Sequence, residues 1–201
     1  MRNLFTILAS CLCIAMPATA QSIVGTTVVD GQKVQLLSDN TWRFAEGGTG
    51  DCAQLHVKLS FCGDTREWQK SDPPSPDIIA QYMFKQSFFG QYIIEDVGTE
   101  SGVTREGMRK IAIENAAAAA GVSAAEVAVL VNEEGTHFGL PSDTLVYAVV
   151  VDSLAVVFAN TIVVGKNAMV QINTFTLGTE FAPEHNDIHR DFVSLTKFDE
   201  G

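Results

Sequence analysis

The sequence predicts an α+β protein: an antiparallel sheet flanked by helices, with a small N-terminal β-hairpin unit. Three observations predict it. Residues 143–151, 154–164 and 168–177 read as strands, and the tight turns Asp152-Ser153 and Gly165-Lys166-Asn167 join them as an antiparallel meander. Helical patterns stand apart from these strands instead of alternating with them, which argues against a parallel α/β sheet. Residues 21–45 form short strand-like runs about Asp30-Gly31, a strong hairpin signal because glycine accepts positive φ freely.

Composition sets the class. Of 201 residues, 46% are hydrophobic and 18% charged, as in a globular domain. The 13 Lys and Arg against 24 Asp and Glu give a net charge of −11. Phosphate backbones and anionic lipid both need a basic face, so no nucleic-acid partner is expected.

Residues 1–20 read as a secretory signal peptide. Arg2 supplies the positive n-region, residues 4–16 are apolar or small, Pro17 breaks the run, and Ala18-Thr19-Ala20 is a small-x-small cleavage site before Gln21. The run is shorter than the roughly 20 residues of a spanning helix. No membrane span and a periplasmic or secreted protein are expected. Cleavage removes Cys11 and Cys13 and leaves Cys52 and Cys62 in an oxidising compartment. Count and compartment favour a bond between those two. The alternation from Gln54 to Phe61 reads as one extended strand and opposes it, because about ten extended residues span roughly 33 Å. Strand and bond should exclude each other.

Residues 21–45 divide into strands about Asp30-Gly31 and Ser38-Asp39-Asn40, with Trp42 read as an anchor for a small module, or as a ligand-stacking ring. The stretch from Asp30-Gly31 through Val34 to Thr41-Trp42 resembles a short motif of exported bacterial proteins, and implies no activity. Residues 46–51 have the composition of a linker. The α+β domain then spans 52–201.

Within it, Ser75, Pro76 and Asp77 read as a helix start, Ile78, Ile79, Tyr82 and Met83 as a helical stripe, and Gly90 as its end, before a strand over 91–96. Thr104 caps a helix that Gly121 closes. Met108, Ile111, Ala112, Asn115, Ala118 and Ala119 share its expected inner face, with Asn115 a buried amide or a pocket residue, and Glu106 pairs with Lys110 outside. Residues 126–131 read as a strand. The first two meander strands are apolar on both faces and expected to be central, and the third less buried. A final helix covers 184–195, with Ile188, Phe192 and Leu195 inward.

The order of these parts, from a strand and Trp68 through a helix, a strand, a long helix and the meander to Ser194-Leu195-Thr196-Lys197-Phe198, resembles the PsbP-like fold. That resemblance implies a helix-sandwiched antiparallel sheet and a binding or assembly module, with no catalytic signature to carry across.

No phosphate loop, nucleophile elbow or C-x-x-C pair occurs, and no catalytic residue, cofactor or cofactor-binding residue is assigned. His185 and His189 stand at i,i+4 and are the candidate metal pair, with His137 or a distant carboxylate the candidate third ligand. Without an H-E-x-x-H pattern the reading adopted is a partly solvated helix rim and no metal. Glu133-Glu134 and Asp199-Glu200 read as solvated turns. The function expected is an exported binding or assembly accessory acting through a protein surface on a protein partner. The alternative is an exported hydrolase with a site assembled from distant residues.

Overall fold

The computed structural model describes residues 22–29, 32–44 and 52–200. Backbone contacts divide the chain between Glu46 and Gly47 into two units. The expected signal segment, the Asp30-Gly31 turn and the linker 46–51 lie outside the described residues.

The first unit is a three-stranded antiparallel sheet of β1 (Ile23–Val29), β2 (Gln32–Leu37) and β3 (Trp42–Phe44), in that order. Asn40 takes a positive φ of 65° in the turn before β3, and Asp39 Oδ1 accepts from the Thr41 N–H at 3.0 Å. Leu37 is buried, whereas Trp42 is 59% exposed, so Trp42 does not anchor the module by burial as expected.

The second unit holds two antiparallel sheets. In the smaller, β13 (Thr196–Phe198) and β4 (Ala53–His56) flank β5 (Leu59–Phe61). The larger comprises β6 (Trp68–Ser71), β7 (Ala80–Phe84), β8 (Phe88–Glu95), β9 (Ala128–His137), β10 (Leu140–Val151), β11 (Leu154–Val164) and β12 (Met169–Leu177). Its order is β6-β7-β8-β12-β11-β10-β9. Helices α1 (Arg105–Ala120) and α2 (Pro183–Ser194) complete the α+β architecture. Among the described residues no helix is long and apolar enough to cross a membrane.

Several expectations are corrected. The single strand expected over 54–61 is a hairpin, with Val57 79% exposed at its turn. The reversal sets the Cα atoms of Cys52 and Cys62 4.1 Å apart, and the two are disulfide-bonded. Bond and continuous strand thus exclude each other, and the bond prevails. Pairing supports the reversal, since β5 lies against β13 and the Cys62 N–H donates to Leu195 O at 2.7 Å.

The helix expected after Pro76 is instead the β7–β8 hairpin. Lys85 and Gln86 take φ of 49° and 59° in the three-residue connection between the strands, and Ser87 N donates to Phe84 O. Ser75 does bond the Asp77 N–H, at 3.3 Å, but it closes a local turn and no helix follows.

The third meander strand, β12, lies mid-sheet between β8 and β11, and its first six residues are buried. Glu133 and Glu134 lie within β9, exposed, and not in a turn.

Helix α1 is capped as expected. Thr104 Oγ1 accepts from Gly107 N at 3.0 Å, and Gly121 takes φ 69°. Its buried face is Met108, Ala112, Ala116 and Ala117, rotated from the expected stripe. Ile111, Asn115, Ala118 and Ala119 are exposed, so Asn115 is neither a core amide nor, on this exposure, an enclosed pocket group. Lys110 pairs with Glu114 at 3.8 Å instead of Glu106.

The core sits between the larger sheet, α2 and the smaller sheet. Phe61, Trp68, Tyr82, Tyr92, Ile172 and Phe192 are among its buried residues. Phe192 lies 4.5 Å from Trp68 and 4.8 Å from Tyr92 by ring centroids. A Cβ at Gly90 would fall 2.4 Å from the Phe192 ring, so this close approach requires glycine.

Candidate functional site

Helix α1 packs on the opposite sheet face, over β10 and β11. Ala112, Ala116 and Ala117 meet Val127, Leu145 and Tyr147, while Met108 meets Ile162, Val164 and Met169. Small residues bring the helix axis close to the strands it covers. Strand β9 lies beyond those strands. It leads into β10 through Phe138 and Gly139, at φ 56° and 75°, and forms the sheet edge. A groove therefore runs between α1 and β9.

Two adjoining cavities make up the groove and share Glu106 and Arg109. One, of about 350 Å³, is lined by Ile113, Glu114, Val129, Asn132 and Leu145 among others. The second, of about 550 Å³, reaches Arg105, Glu134, Asp143, Lys166 and Glu200.

A buried carboxylate fixes two of the groove's cations. Asp143 has no exposed surface and is ion-paired to both Arg105 and Arg109, whose side chains are 29% and 24% exposed. Arg105 also donates to Ser142 O at 3.2 Å. Burying an ion without a counter-charge is costly, so both guanidinium groups are held against Asp143. Their i,i+4 spacing on α1 was the available sequence signal. Nothing local showed that Asp143, at the start of an apolar run, would meet them.

The candidate metal histidines occupy the other sheet face and are not a solvated rim. His185 and His189 are 1% and 3% exposed. Thr174 Oγ1 lies 3.0 Å from His185 Nε2 and 2.9 Å from His189 Nδ1. Thr161 Oγ1 lies 2.9 Å from His189 Nε2. Burial, with the charges of His185 and His137, lowers the His189 pKa to about 3, and burial lowers that of His185. Both nitrogens of His189 are thus committed to threonines. No group of three or more His, Cys, Asp or Glu suited to a metal occurs among the described residues.

His137 does not join that pair by hydrogen bonding. Its Nδ1 lies 2.8 Å from Ser142 Oγ. A serine bonded to histidine is the contact that would favour the hydrolase alternative. Ser142 has no exposed surface, so a substrate has no route to its hydroxyl in this conformation. Of the second acidic pair, Glu200 accepts from the Lys166 backbone N–H, and Asp199 N donates to Lys58 O at 2.9 Å.

No family model and no curated protein matches the sequence. Among solved structures, the chain is similar to cyanobacterial PsbP (CyanoP) from Synechocystis sp. PCC 6803, with 13% identity and a TM-score of 0.48, covering 75% of this chain and 98% of that one. It is also similar to PA94 from Pseudomonas aeruginosa, a protein of unknown function, with 9% identity and a TM-score of 0.37, covering 75% of this chain and 83% of that one. No residue role carries across at these identities.

Proposed function

We propose that the protein is an exported binding or assembly accessory that engages a protein partner through the groove between α1 and β9. The observation that carries this reading is the exposed edge strand β9 lying beside an open groove of mixed apolar and charged lining. Export rests on the pattern of residues 1–20, with Gln21 the first mature residue. Residues 21–45 act as a separate unit on the linker 46–51, whose glycines offer no side chains to pack.

A photo-crosslinking amino acid placed at Leu130 on β9 tests the surface, with Lys70 on the opposite edge strand as control. Crosslinking in the cells that make the protein should give a discrete protein adduct from position 130 and none from position 70. Equal adducts from both positions, or none from 130, would overturn the reading. Mass spectrometry of the exported chain should show an N-terminus at Gln21; retention of residues 1–20 would overturn export by this route.

A further inference from the structure

Resting on that reading of the groove, we infer that β9 binds by strand addition. It accepts an extended segment of the partner, apolar where it passes Val129 and carrying Lys or Arg where it passes Glu133 and Glu134.

The backbone comes first. β9 is ten residues long and, among the described residues, pairs with β10 alone. Its outward N–H and C=O groups therefore have no backbone partner among those residues. Proteins usually blunt such an edge with proline, lysine or a very short strand. The β9 sequence AVLVNEEGTH has neither residue and is long. Val129 and Leu130 are 51% and 40% exposed on it. A β-bulge at Leu130 breaks the register, so the ladder for an eighth strand is regular from Val131 to His137, where main-chain hydrogen bonds would supply affinity.

The groove supplies specificity. Successive residues of an added strand point to alternate sheet faces. Those facing α1 enter the cavity lined by Ile113, Val129 and Leu145, which takes apolar side chains. The second cavity takes Glu134 from β9, beside Glu106 and Glu200 and facing Lys166, while Arg105 and Arg109 are committed to Asp143. Glu133 and Glu134 are adjacent and so put one carboxylate on each face. Directly opposed side chains on paired strands lie about 5 Å apart, where unlike charges attract and like charges repel.

That charge decides the occupant. A second copy of this chain, paired through β9 in full antiparallel overlap, would gather Glu133 and Glu134 of both copies in the middle of the new ladder. A cationic segment from another protein neutralises the same residues.

Selection of decapeptides from a random display library against the full chain, followed by amide exchange of the isotope-labelled protein with the tightest peptide, tests the inference. The selected peptides should carry apolar residues in one half and neighbouring basic residues in the other, and the tightest should slow exchange along 131–137 by about tenfold or more. N-methylation of alternate peptide amides, which keeps every side chain, should weaken binding about tenfold. The Glu133→Lys/Glu134→Lys variant, its fold checked by the same spectra, should prefer acidic peptides. Absence of any selected peptide, binding indifferent to N-methylation, or protection of β9 that grows with protein concentration alone would each overturn strand addition; the last would make a second copy the occupant. A Leu130 adduct with unprotected β9 amides would leave the groove as the binding surface and refute only this mode.

Discussion

His189 Nδ1 lies 2.9 Å from Thr174 Oγ1, and that hydroxyl also meets His185 Nε2 at 3.0 Å. One threonine therefore ties two histidines of α2 to the central strand of the larger sheet. A hydroxyl has a single proton, so it donates to one imidazole and accepts from the other. His185 Nδ1 is buried without a partner. A buried lone pair without a donor is better tolerated than a buried N–H without an acceptor. This assigns the His185 proton to Nε2, which donates to Thr174, and Thr174 then donates to His189 Nδ1. His189 is left with Nε2 as donor to Thr161. In this arrangement both rings are neutral.

Neutral buried histidines make stability depend on pH. Both have pKa values below the ordinary 6.5, His189 at about 3. Below pH 6.5 the unfolded chain takes up protons that the folded chain refuses, so stability falls as pH falls. The slope is about 1.4 kcal/mol per pH unit for each histidine that stays neutral in the fold. The carboxyls of Asp64 and Asp96, held below their usual range by Arg66 and Lys58, lose their contribution only below about pH 4. The window between about pH 4.5 and 6.5 therefore reports the histidines. Urea unfolding should show the midpoint dropping across it, and His189→Gln should flatten the slope. A midpoint unchanged across that window would refute the neutral assignment.

Gly90 and Phe192 give a steric prediction. The Phe192 ring occupies the space a side chain at position 90 would need, with 2.4 Å to the nearest ring atom, and Phe192 has no exposed surface. The ring is also boxed in by Trp68 and Tyr92. Gly90→Ala should destabilise by about 1–3 kcal/mol through overpacking. Phe192→Leu added to Gly90→Ala should recover part of that loss, because it removes the opposing ring. Thermal unfolding of the two variants checks this, and a neutral single substitution would show that the ring can move aside.

What the sequence showed and what it hid divide along local and non-local lines. Thr104 and Gly121 marked the ends of α1 because caps act within a few residues of themselves. Asp152 and Ser153 marked their turn in the same way, and both have positive φ in the structure. Ile78, Ile79, Tyr82 and Met83 fit a helical stripe, yet Tyr82 and Met83 lie in β7, paired with β6 and β8, and Ile78 and Ile79 precede that strand without forming a helix. The rotation of α1 was hidden because alanine lies on several of its sides. His185 and His189 read as a rim because a helical wheel omits the strand opposite, where Thr161 and Thr174 supply their partners. The groove was least legible, since being an edge strand depends on strand order and leaves no mark in β9 itself.

Asp143 carries a prediction about charge. It has no exposed surface and holds Arg105 and Arg109 together. Asp143→Asn keeps the shape and removes the charge, leaving two guanidinium groups side by side against a neutral amide. Loss of one partner of a buried ionic cluster typically costs about 3–5 kcal/mol. The guanidinium groups keep contact with water, which places this case toward the lower end. Chemical unfolding at moderate and high salt measures it. A loss below about 1 kcal/mol would show that water already screens the cluster.

The disulfide and the hairpin it closes can be separated by mutation. Cys52 and Cys62 lie ten positions apart in the sequence, a short loop. Such a bond restricts the unfolded chain, and a loop of this size contributes about 2–3 kcal/mol. The folded hairpin has other supports: β5 pairs with β13, Leu59 and Phe61 are each 1% exposed, and Asp199 N donates to Lys58 O across the turn. Cys52→Ser/Cys62→Ser should therefore fold with the same strand pairing and unfold at lower denaturant. Reduction of the natural chain should shift its midpoint by a similar amount, because both treatments remove the same constraint. Thiol titration in denaturant should find no free thiol in the exported chain before reduction. Full stability without the bond would show that packing of β5 alone holds the reversal, and free thiols in the exported chain would contradict the bond itself.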